Sequence, residues 1–351
     1  MKASWLQLRD ESVWQRIVRS PLAPAGWVYG AAALAHRVAY DRGLRPRRKL
    51  SGHVVSVGNL VVGGTGKTPF AAWLAAALHA RGRKVALASR GYGRAGREAV
   101  SVVSDGRNVL GRAETAGDEP MVLAAHAPGV PVLVGPDRGL VGLRALSQFG
   151  TEVLVLDDGF QHHRLHRDID LVCFDGRLGL GNGHVLPRGP LREPIGALRR
   201  ADALCIVDGP LPEDDVKTLL RAAPTARRVR IRRRPATLRP LAGGETSDPA
   251  SLKGVPVGLL AALAQPRGFR RTLEALGANV VAERVFRDHH AYRYADVSDL
   301  ADEAPLWITT EKDAVKIVPS WIGSAEVRVL GLRLEVEDGS AFVDWVESQL
   351  R

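Results

Sequence analysis

A glycine-rich stretch that ends in a lysine and a threonine carries the strongest chemical signal in the sequence. It reads Val61, Val62, Gly63, Gly64, Thr65, Gly66, Lys67, Thr68. Glycines let backbone N–H groups turn around a phosphate, a lysine reaches the β- and γ-phosphate oxygens, and a threonine hydroxyl binds Mg²⁺. We predict a phosphate-binding loop that holds a nucleoside triphosphate. Val61 stands where the usual pattern has glycine, so the loop is a variant of that pattern.

Two adjacent carboxylates follow an apolar run elsewhere in the chain. Residues 153–156 are Val-Leu-Val-Leu, and Asp157 and Asp158 come directly after them. The carboxyl end of a parallel strand faces the crevice where α/β sheets bind ligands, and acids there hold the Mg²⁺ of a nucleotide. One of the pair could instead cap the next turn. The sequence predicts a metal site made by Thr68, Asp157 and Asp158.

Further polar clusters bear on the choice of reaction. They are Ser89-Arg90-Gly91-Tyr92-Gly93-Arg94, Gly117-Asp118-Glu119-Pro120, Gly135-Pro136-Asp137-Arg138, Arg188 to Pro194 (RGPLREP), and Phe286-Arg287-Asp288-His289-His290. Singly, each has an ordinary explanation: solvated arginines, a helix N-cap at Asp118, a surface or core histidine pair. Most follow predicted strands, however, which would gather them at one sheet edge.

Transfer of a phosphoryl group to an alcohol needs a base for the hydroxyl proton and cations for the phosphate charge. Asp118 could be the base, with His289 tuning it. A GTPase would need a guanine-reading Asn-Lys-x-Asp, and Thr310-Glu311-Lys312-Asp313 has the wrong order and spacing. A kinase is therefore favoured over a GTPase.

The elements that would position these residues alternate between apolar runs and helical stretches, which is typical of a parallel sheet covered by helices. Predicted strands cover residues 53–57, 84–89, 131–134, 152–156, 169–174, 203–207, 255–263 and 306–309, and predicted helices cover 69–80, 139–149, 269–276 and 340–350. The fold class is α/β, with a P-loop NTPase-like parallel sheet, helices on both faces, and a second, smaller α/β domain. Its expected parts are an N-terminal segment (1–50), a catalytic domain (51–225), a linker or exposed ribbon (226–250) and the smaller domain (251–351).

The composition limits the partners and the compartment. A formal charge of +11 over 351 residues favours nucleic acid, an anionic membrane surface or a phosphorylated substrate. The two cysteines lie in apolar runs, so neither a disulfide framework nor a metal cluster is indicated. The chain has neither a signal peptide pattern nor an apolar run long enough for a membrane span, which predicts a cytosolic protein.

The N-terminal segment is apolar and then basic. Residues 21–35 include Trp27 and Tyr29, and six arginines and lysines follow by residue 49. This pattern is typical of a segment that lies in the membrane interface. The alternative is an amphipathic helix packed on the domain.

Taken in order, the motifs resemble those of the tetraacyldisaccharide 4'-kinase family, which phosphorylates a precursor of lipid A. They are VGNL leading into the GGxGKTP loop, then SRGYGR, GDEP, GPDR, LDDGFQH, RGPLREP, FRDHH and TTEKDAVK. The family also departs from the strict loop pattern at the position of Val61, so that departure no longer counts against nucleotide binding. The region 210–256 and the C-terminus match weakly.

The resemblance implies an activity and its site residues. The expected reaction is ATP- and Mg²⁺-dependent phosphorylation of the 4'-hydroxyl of a tetraacylated glucosamine disaccharide 1-phosphate, at the cytoplasmic face of the inner membrane. Asp118 is the expected base, paired with His289 or, less favoured, His290, and Lys67 contacts the transferred phosphate. Arg90, Arg192 and Glu193 are expected to contact the substrate.

The expected partners are the lipid A disaccharide precursor and the anionic inner-membrane surface, with no nucleic acid and no obligate protein partner. A membrane-associated P-loop ATPase that drives assembly of a partner is the alternative function.

Overall fold

The computed structural model describes residues 11–91, 94, 96 and 98–350. Residues 1–10 of the expected N-terminal segment therefore lie outside the described part. So do Tyr92 and Gly93 of the SRGYGR motif.

The described strands form one sheet in the order β10-β9-β11-β12-β8-β7-β6-β1-β5-β2-β4-β3. Their bounds are β1 His53–Asn59, β2 Val85–Ser89, β3 Ser101–Ser104, β4 Val132–Val134, β5 Val153–Asp157, β6 Ile169–Asp175, β7 Ala203–Val207, β8 Arg227–Pro240, β9 Pro256–Ala261, β10 Asn279–Val285, β11 Leu306–Thr310 and β12 Glu326–Val336. Neighbours pair in parallel except β3 with β4 and β8 with β12. The sheet direction therefore reverses between β8 and β12, where its two halves meet.

The helices cover both faces of this sheet. Their bounds are α1 Val13–Arg19, α2 Ala23–Asp41, α3 Lys67–Ala80, α4 Ala113–Ala116, α5 Asp118–His126, α6 Arg138–Phe149, α7 Glu213–Ala222, α8 Pro266–Ala275, α9 Tyr294–Val297, α10 Glu311–Ala314 and α11 Gly339–Gln349. Short 3-10 segments occupy Ser20–Leu22, Ile195–Arg200, Pro249–Leu252, Leu300–Asp302 and Pro319–Trp321.

The central strands are mostly apolar because both of their faces are buried. In β1, Val55 and Val57 pack in the core beneath α3, whereas Val54 packs in a separate core with Val141 of α6. This arrangement confirms the predicted α/β class, with a mostly parallel sheet between two layers of helices. The predicted strand at residues 203–207 has the same bounds as β7, and the other predicted strands overlap β1, β2, β4, β5, β6, β9 and β11.

The segment expected to be a linker or ribbon differs from the expectation. Most of it is β8, a strand of 14 residues that lies between β7 and β12. Although its composition is rich in arginine and proline, buried and exposed side chains alternate along it. Val229 and Ile231 are buried, and the arginines on either side of them, Arg228, Arg230 and Arg232, are exposed. A period of two with one buried face is the pattern of a strand.

The last helix connects the two halves of the sheet. α11 leaves β12 and packs on α3, where Phe342 contacts the rings of Phe70 and Trp73. Arg81, which caps the end of α3, binds Asp344 and Glu347 of α11. The division into domains at 51–225 and 251–351 stays a prediction.

The N-terminal helices present an apolar surface. Trp14 of α1 is 71 % exposed, and Trp27 and Val28 of α2 are 73 % and 70 % exposed. The opposite side of α2 packs on the protein through Gly26 and Gly30, which face Val185. Within the described residues, no helix combines the length and apolarity that a membrane crossing requires.

Candidate active site

The glycine-rich loop joins the end of β1 to the start of α3, as the sequence predicts. Gly66 immediately precedes the helix with φ of +78°, and a Cβ there would lie 3.0 Å from Cγ1 of Val207. A side chain would therefore be strained at this position. No side chain caps the first turn of α3. Its N–H groups, with the positive end of the helix dipole, suit a phosphate.

Asn59, the last residue of β1, holds this loop in place through side-chain hydrogen bonds. Its Nδ2 donates to the backbone oxygen of Val61 at 2.7 Å and to Oγ1 of Thr65 at 3.1 Å. Asn59 is fully buried, so these bonds hold the loop against a rigid strand end. Asn59 belongs to the VGNL motif, which by itself predicts no role for this residue.

The RGPLREP segment lies directly against the loop. Val61 pairs with Leu191 in a short antiparallel bridge, and the backbone N–H of Val62 donates to the oxygen of Pro190 at 2.9 Å. The backbone N–H of Arg192 donates in turn to the oxygen of Leu60 at 2.8 Å. The variant position Val61 thus serves as a pairing residue, with its side chain 3 % exposed.

The two predicted metal-binding acids have different partners. Oδ2 of Asp157 accepts a hydrogen bond from Oγ1 of Thr68 at 3.0 Å. Asp158 has φ of +58°, which turns its side chain away from the strand, and its carboxylate accepts two bonds from Nη1 of Arg192 at 2.8 and 3.1 Å. Only Asp157 therefore contacts the threonine that was expected to share its metal ion.

The electrostatics separate the two acids further. Complete burial and the nearby charge of Glu119 raise the pKa of Asp157 to about 7. Burial also opposes ionisation of Asp158, but the charges of Lys67 and Arg192 outweigh it and lower its pKa. Asp158 is therefore the stronger acid of the two, and a cation bound at Asp157 would favour the ionised form of that carboxylate.

Lys67 is the cation at the centre of this group. Burial favours its neutral form, but Asp158, Glu119 and Asp157 together raise its pKa, so it stays charged. Arg138 of the GPDR motif is also buried, and its field acts on Asp158. Among the described residues, no cluster of three or more histidine, cysteine or acidic side chains has the geometry of a complete metal site.

Asp118 and His289 meet beside this group. Nδ1 of His289 lies 3.1 Å from both carboxylate oxygens of Asp118, which is the first residue of α5 and 5 % exposed. Burial opposes ionisation of Asp118, but the bond from His289 and the charges of two lysines lower its pKa. Glu119, the next residue of α5, acts on Lys67 and Asp157, so the first turn of α5 joins the dyad to the phosphate loop.

His290 lies apart from Asp118. Its Nε2 is 2.9 Å from Oδ2 of Asp296, and its ring stacks on Phe286 at 4.4 Å between centroids. Of the two neighbouring histidines, only His289 contacts the expected base.

The predicted substrate residues are spread over a wider area. Arg192 reaches Asp158, as described, and Arg90 is exposed after β2, where its charge acts on Arg138. Glu193 is buried, and its carboxylate binds Arg200 at 3.0 Å. Their roles, like those of the residues above, stay predictions.

Two lysines of the TTEKDAVK motif lie next to the pair formed by Asp118 and His289. Nζ of Lys312 and Nζ of Lys316 lie 3.9 and 3.7 Å from Oδ2 of Asp118. Neither lysine has a role predicted from its motif. The available signal was the position of Lys312 just after β11, at a strand's carboxyl end.

The chain is similar to kinases of known family and structure. The family model described as tetraacyldisaccharide-1-P 4'-kinase matches residues 18–351. A tetraacyldisaccharide 4'-kinase from Anaeromyxobacter dehalogenans is 43% identical over 344 residues, covering 93% of this chain and 91% of the relative. One from Geobacter sulfurreducens is 41% identical over 315 residues, covering 86% and 85%.

A solved structure shows the same fold. The LpxK protein from Aquifex aeolicus, determined in complex with ATP, superposes with a TM-score of 0.77 at 32% identity, covering 95% of this chain and all of that one. The chain belongs to the tetraacyldisaccharide 4'-kinase family.

Proposed function

We propose that this kinase of lipid A biosynthesis transfers the γ-phosphoryl group of ATP to the 4'-hydroxyl of a tetraacylated glucosamine disaccharide 1-phosphate, at the cytoplasmic face of the inner membrane. The observation that carries the proposal is the contact between Asp118 and His289 next to the phosphate loop. This contact places a base for the hydroxyl of the acceptor beside the site for the nucleotide.

The loop and the first turn of α3 hold the phosphates of ATP. Backbone N–H groups from Gly63 to Thr68 surround the β-phosphate, and the buried ammonium of Lys67 neutralises the β- and γ-phosphate oxygens. The ATP complex of the Aquifex relative supports this assignment.

Thr68 and Asp157 fit Mg²⁺. A hydroxyl and a carboxylate oxygen 3.0 Å apart offer the hard oxygen ligands that this cation prefers. When bound there, Mg²⁺ would neutralise negative charge on the phosphates of ATP. Asp158 instead holds Arg192, and we assign that arginine to the phosphate charge or to the acceptor sugar.

Asp118 takes the proton of the 4'-hydroxyl as the oxygen attacks the γ-phosphorus, the bond from that phosphorus to the β,γ-bridging oxygen breaks, and ADP leaves. Its carboxylate is ionised at neutral pH, because the bond to His289 and the two lysines lower its pKa. His289 orients the carboxylate and stabilises the proton that Asp118 receives.

The N-terminal helices α1 and α2 hold the enzyme at the membrane that contains its lipid substrate. The exposed Trp14 and Trp27 can enter the membrane interface, where the arginines that follow α2 meet anionic headgroups. A largely apolar cavity of about 430 Å³ lies between α2 and segment 183–195, next to Arg192. It offers space for an acyl chain beside the residue that binds Asp158.

Incubation of the purified protein with ATP, Mg²⁺ and the disaccharide 1-phosphate in mixed micelles tests the proposal. We expect a product with one added phosphate, which mass spectrometry and ³¹P NMR locate at the 4' position. ATP hydrolysis without a phosphorylated lipid contradicts the proposal. A disaccharide that lacks the 4'-hydroxyl is the matched control and should yield no product.

A further inference from the structure

The ring of His289 lies between the carboxylate of Asp118 and the ammonium of Lys312. Its Nδ1 is 3.1 Å from the Asp118 carboxylate, and its Nε2 is 3.3 Å from Nζ of Lys312. The ammonium of Lys312 is held in turn by Oδ1 of Asp288 at 2.7 Å. Both ring nitrogens therefore have a charged neighbour of opposite kind.

The chemistry of these neighbours fixes where the ring proton lies. An ammonium has three N–H donors and no acceptor, and a neutral imidazole has one N–H and one lone pair. Lys312 can bond to Nε2 only if the lone pair is there. The ring proton then lies on Nδ1, where it can donate to the carboxylate of Asp118.

We propose that Lys312 is a positioning residue, which fixes neutral His289 in the Nδ1–H tautomer so that the ring donates to Asp118. This inference rests on the proposed function, in which Asp118 accepts the proton of the sugar hydroxyl. The opposite tautomer would place a lone pair against the carboxylate and an N–H against an ammonium, so both contacts would be repulsive.

The backbone around His289 supports a fixed orientation. His289 has φ of +61°, in the left-handed region, and its side chain is 27 % exposed. Asp288 also binds Lys312, so the same short segment supplies the ring and the carboxylate that anchors the lysine. The lysine belongs to α10, and the three groups therefore hold α10 and the segment after β10 together.

The groups around the ring act in opposite directions, and together they raise the pKa of His289. The hydrogen bond with Asp118 and the charges of Asp118 and Asp288 raise this pKa, whereas burial and the charge of Lys312 lower it. Loss of Lys312 removes a cation from the ring and thus raises this pKa further. The ring then becomes a cation at a higher pH and donates from both nitrogens.

Lys316 provides an internal comparison. It lies 3.7 Å from Oδ2 of Asp118 and 3.1 Å from Oδ1 of Asp313. It shares the carboxylate of Asp118 with Lys312, but Lys312 is the lysine whose Nζ lies 3.3 Å from Nε2 of His289. A general effect of positive charge on Asp118 should therefore appear in variants of both lysines, and an effect on the ring tautomer only in variants of Lys312.

The test compares Lys312→Met, Lys312→Arg and Lys316→Met with the wild type. ¹⁵N NMR of histidine-labelled protein reports the tautomer and pKa of His289, whose signals are those lost in His289→Gln. Lys253→Met, at an exposed lysine of the same half, is the matched control and should behave as the wild type.

We expect Nδ1–H in the wild type and in Lys316→Met. In Lys312→Met, the pKa of His289 rises and kcat falls by about tenfold or more, with the KM for ATP within about twofold. Lys312→Arg keeps a cationic donor and should restore the tautomer and part of kcat, which excludes a folding defect as the cause.

An unchanged tautomer and pKa in Lys312→Met overturns the inference, as does an equal change in Lys316→Met. If the wild type forms no phosphorylated lipid, the proposed function fails. The NMR result still decides whether Lys312 sets the state of His289.

Discussion

Asp118 and His289 are separated by 171 positions in the chain, and their side chains meet at 3.1 Å. The aspartate begins α5 in the first half of the sheet, and the histidine follows β10 in the second. The proposed base and the residue that orients it therefore come from different halves of the fold. The proposed proton transfer therefore depends on how these halves are held.

Replacement of the proposed base should separate binding from chemistry. Asp118→Asn keeps the shape of the side chain and removes its negative charge. We expect kcat to fall by about a hundredfold or more, because general-base catalysis contributes that much, with ATP affinity unchanged in calorimetry. Glu114→Gln, at an exposed acid of α4, is the control. A wild-type rate for Asp118→Asn contradicts the assignment of the base.

The neighbouring histidines should differ in the kind of defect they cause. His289→Gln removes the contact with Asp118 and should lower kcat by about tenfold or more. His290→Gln removes the bond to Asp296 and the stacking on Phe286, so it should lower the melting temperature and leave kcat near the wild-type value. Paired measurements of kcat and melting temperature check this. The reverse pattern would assign the role to His290.

Loss of the buried lysine should abolish tight nucleotide binding. Lys67→Ala leaves Asp157, Asp158 and Glu119 without their shared cation, so a phosphate would meet an acidic site. We expect the Kd for ATP to rise at least about tenfold, or ~1.4 kcal/mol. Titration calorimetry measures it, with Lys84→Ala at an exposed lysine as the control. Normal ATP binding by Lys67→Ala would remove the assignment of the loop.

One contact between the halves should make stability depend on pH. Nε2 of His126 in α5 lies 3.0 Å from Oε2 of Glu311 in α10, and this bond, against the effect of burial, raises the pKa of the histidine above 6.5. A raised pKa means that the stabilisation is complete below the unfolded value and is lost as the pH rises through the folded value.

His126→Gln should therefore lower the melting temperature more at about pH 5.5 than at about pH 8.5. Differential scanning calorimetry at the two values measures the difference. His79→Gln, at an exposed histidine of α3, should lack it. An equal loss at both values contradicts a charged contact.

The exposed tryptophans should carry membrane affinity. Trp14→Ser combined with Trp27→Ser removes two large apolar side chains that are 71 % and 73 % exposed. Sedimentation with anionic vesicles should show a partition coefficient lower by at least about tenfold. Tyr294→Ser, at an aromatic residue that is 62 % exposed in the second half, should bind as the wild type does. Unchanged binding by the double variant contradicts the membrane role of α1 and α2.

The sequence predicts those elements whose burial is uniform. β1, β5, β6 and β7 are rich in apolar residues because both of their faces are covered, so a single stretch of sequence identifies each one. β8 and β10 bury one face at most, and arginine, proline and glutamate on the other face conceal the alternation. Long-range pairing stabilises such strands, and local composition does not report it.

The site shows the same limit. A loop of consecutive residues such as Gly63 to Thr68 is visible in the sequence because its chemistry is local. The role of Lys312 arises from a contact with His289, which is distant in the chain. The role of Asn59 arises from its position at the buried end of β1. Neither role has a local signature in the sequence. The choice between His289 and His290 depends on which ring the fold places against Asp118, and that ring is His289, whereas His290 contacts Asp296.

The packing of α11 on α3 has a consequence for synthesis of the protein. The rings of Phe70 and Trp73 are made early, and the ring of Phe342 that packs on them is made more than 260 positions later. Ribosomes add residues at about 5–20 per second, so this apolar surface of α3 waits for its partner for at least about ten seconds. During that interval the nascent chain exposes an aromatic patch, which is the kind of surface that chaperones bind.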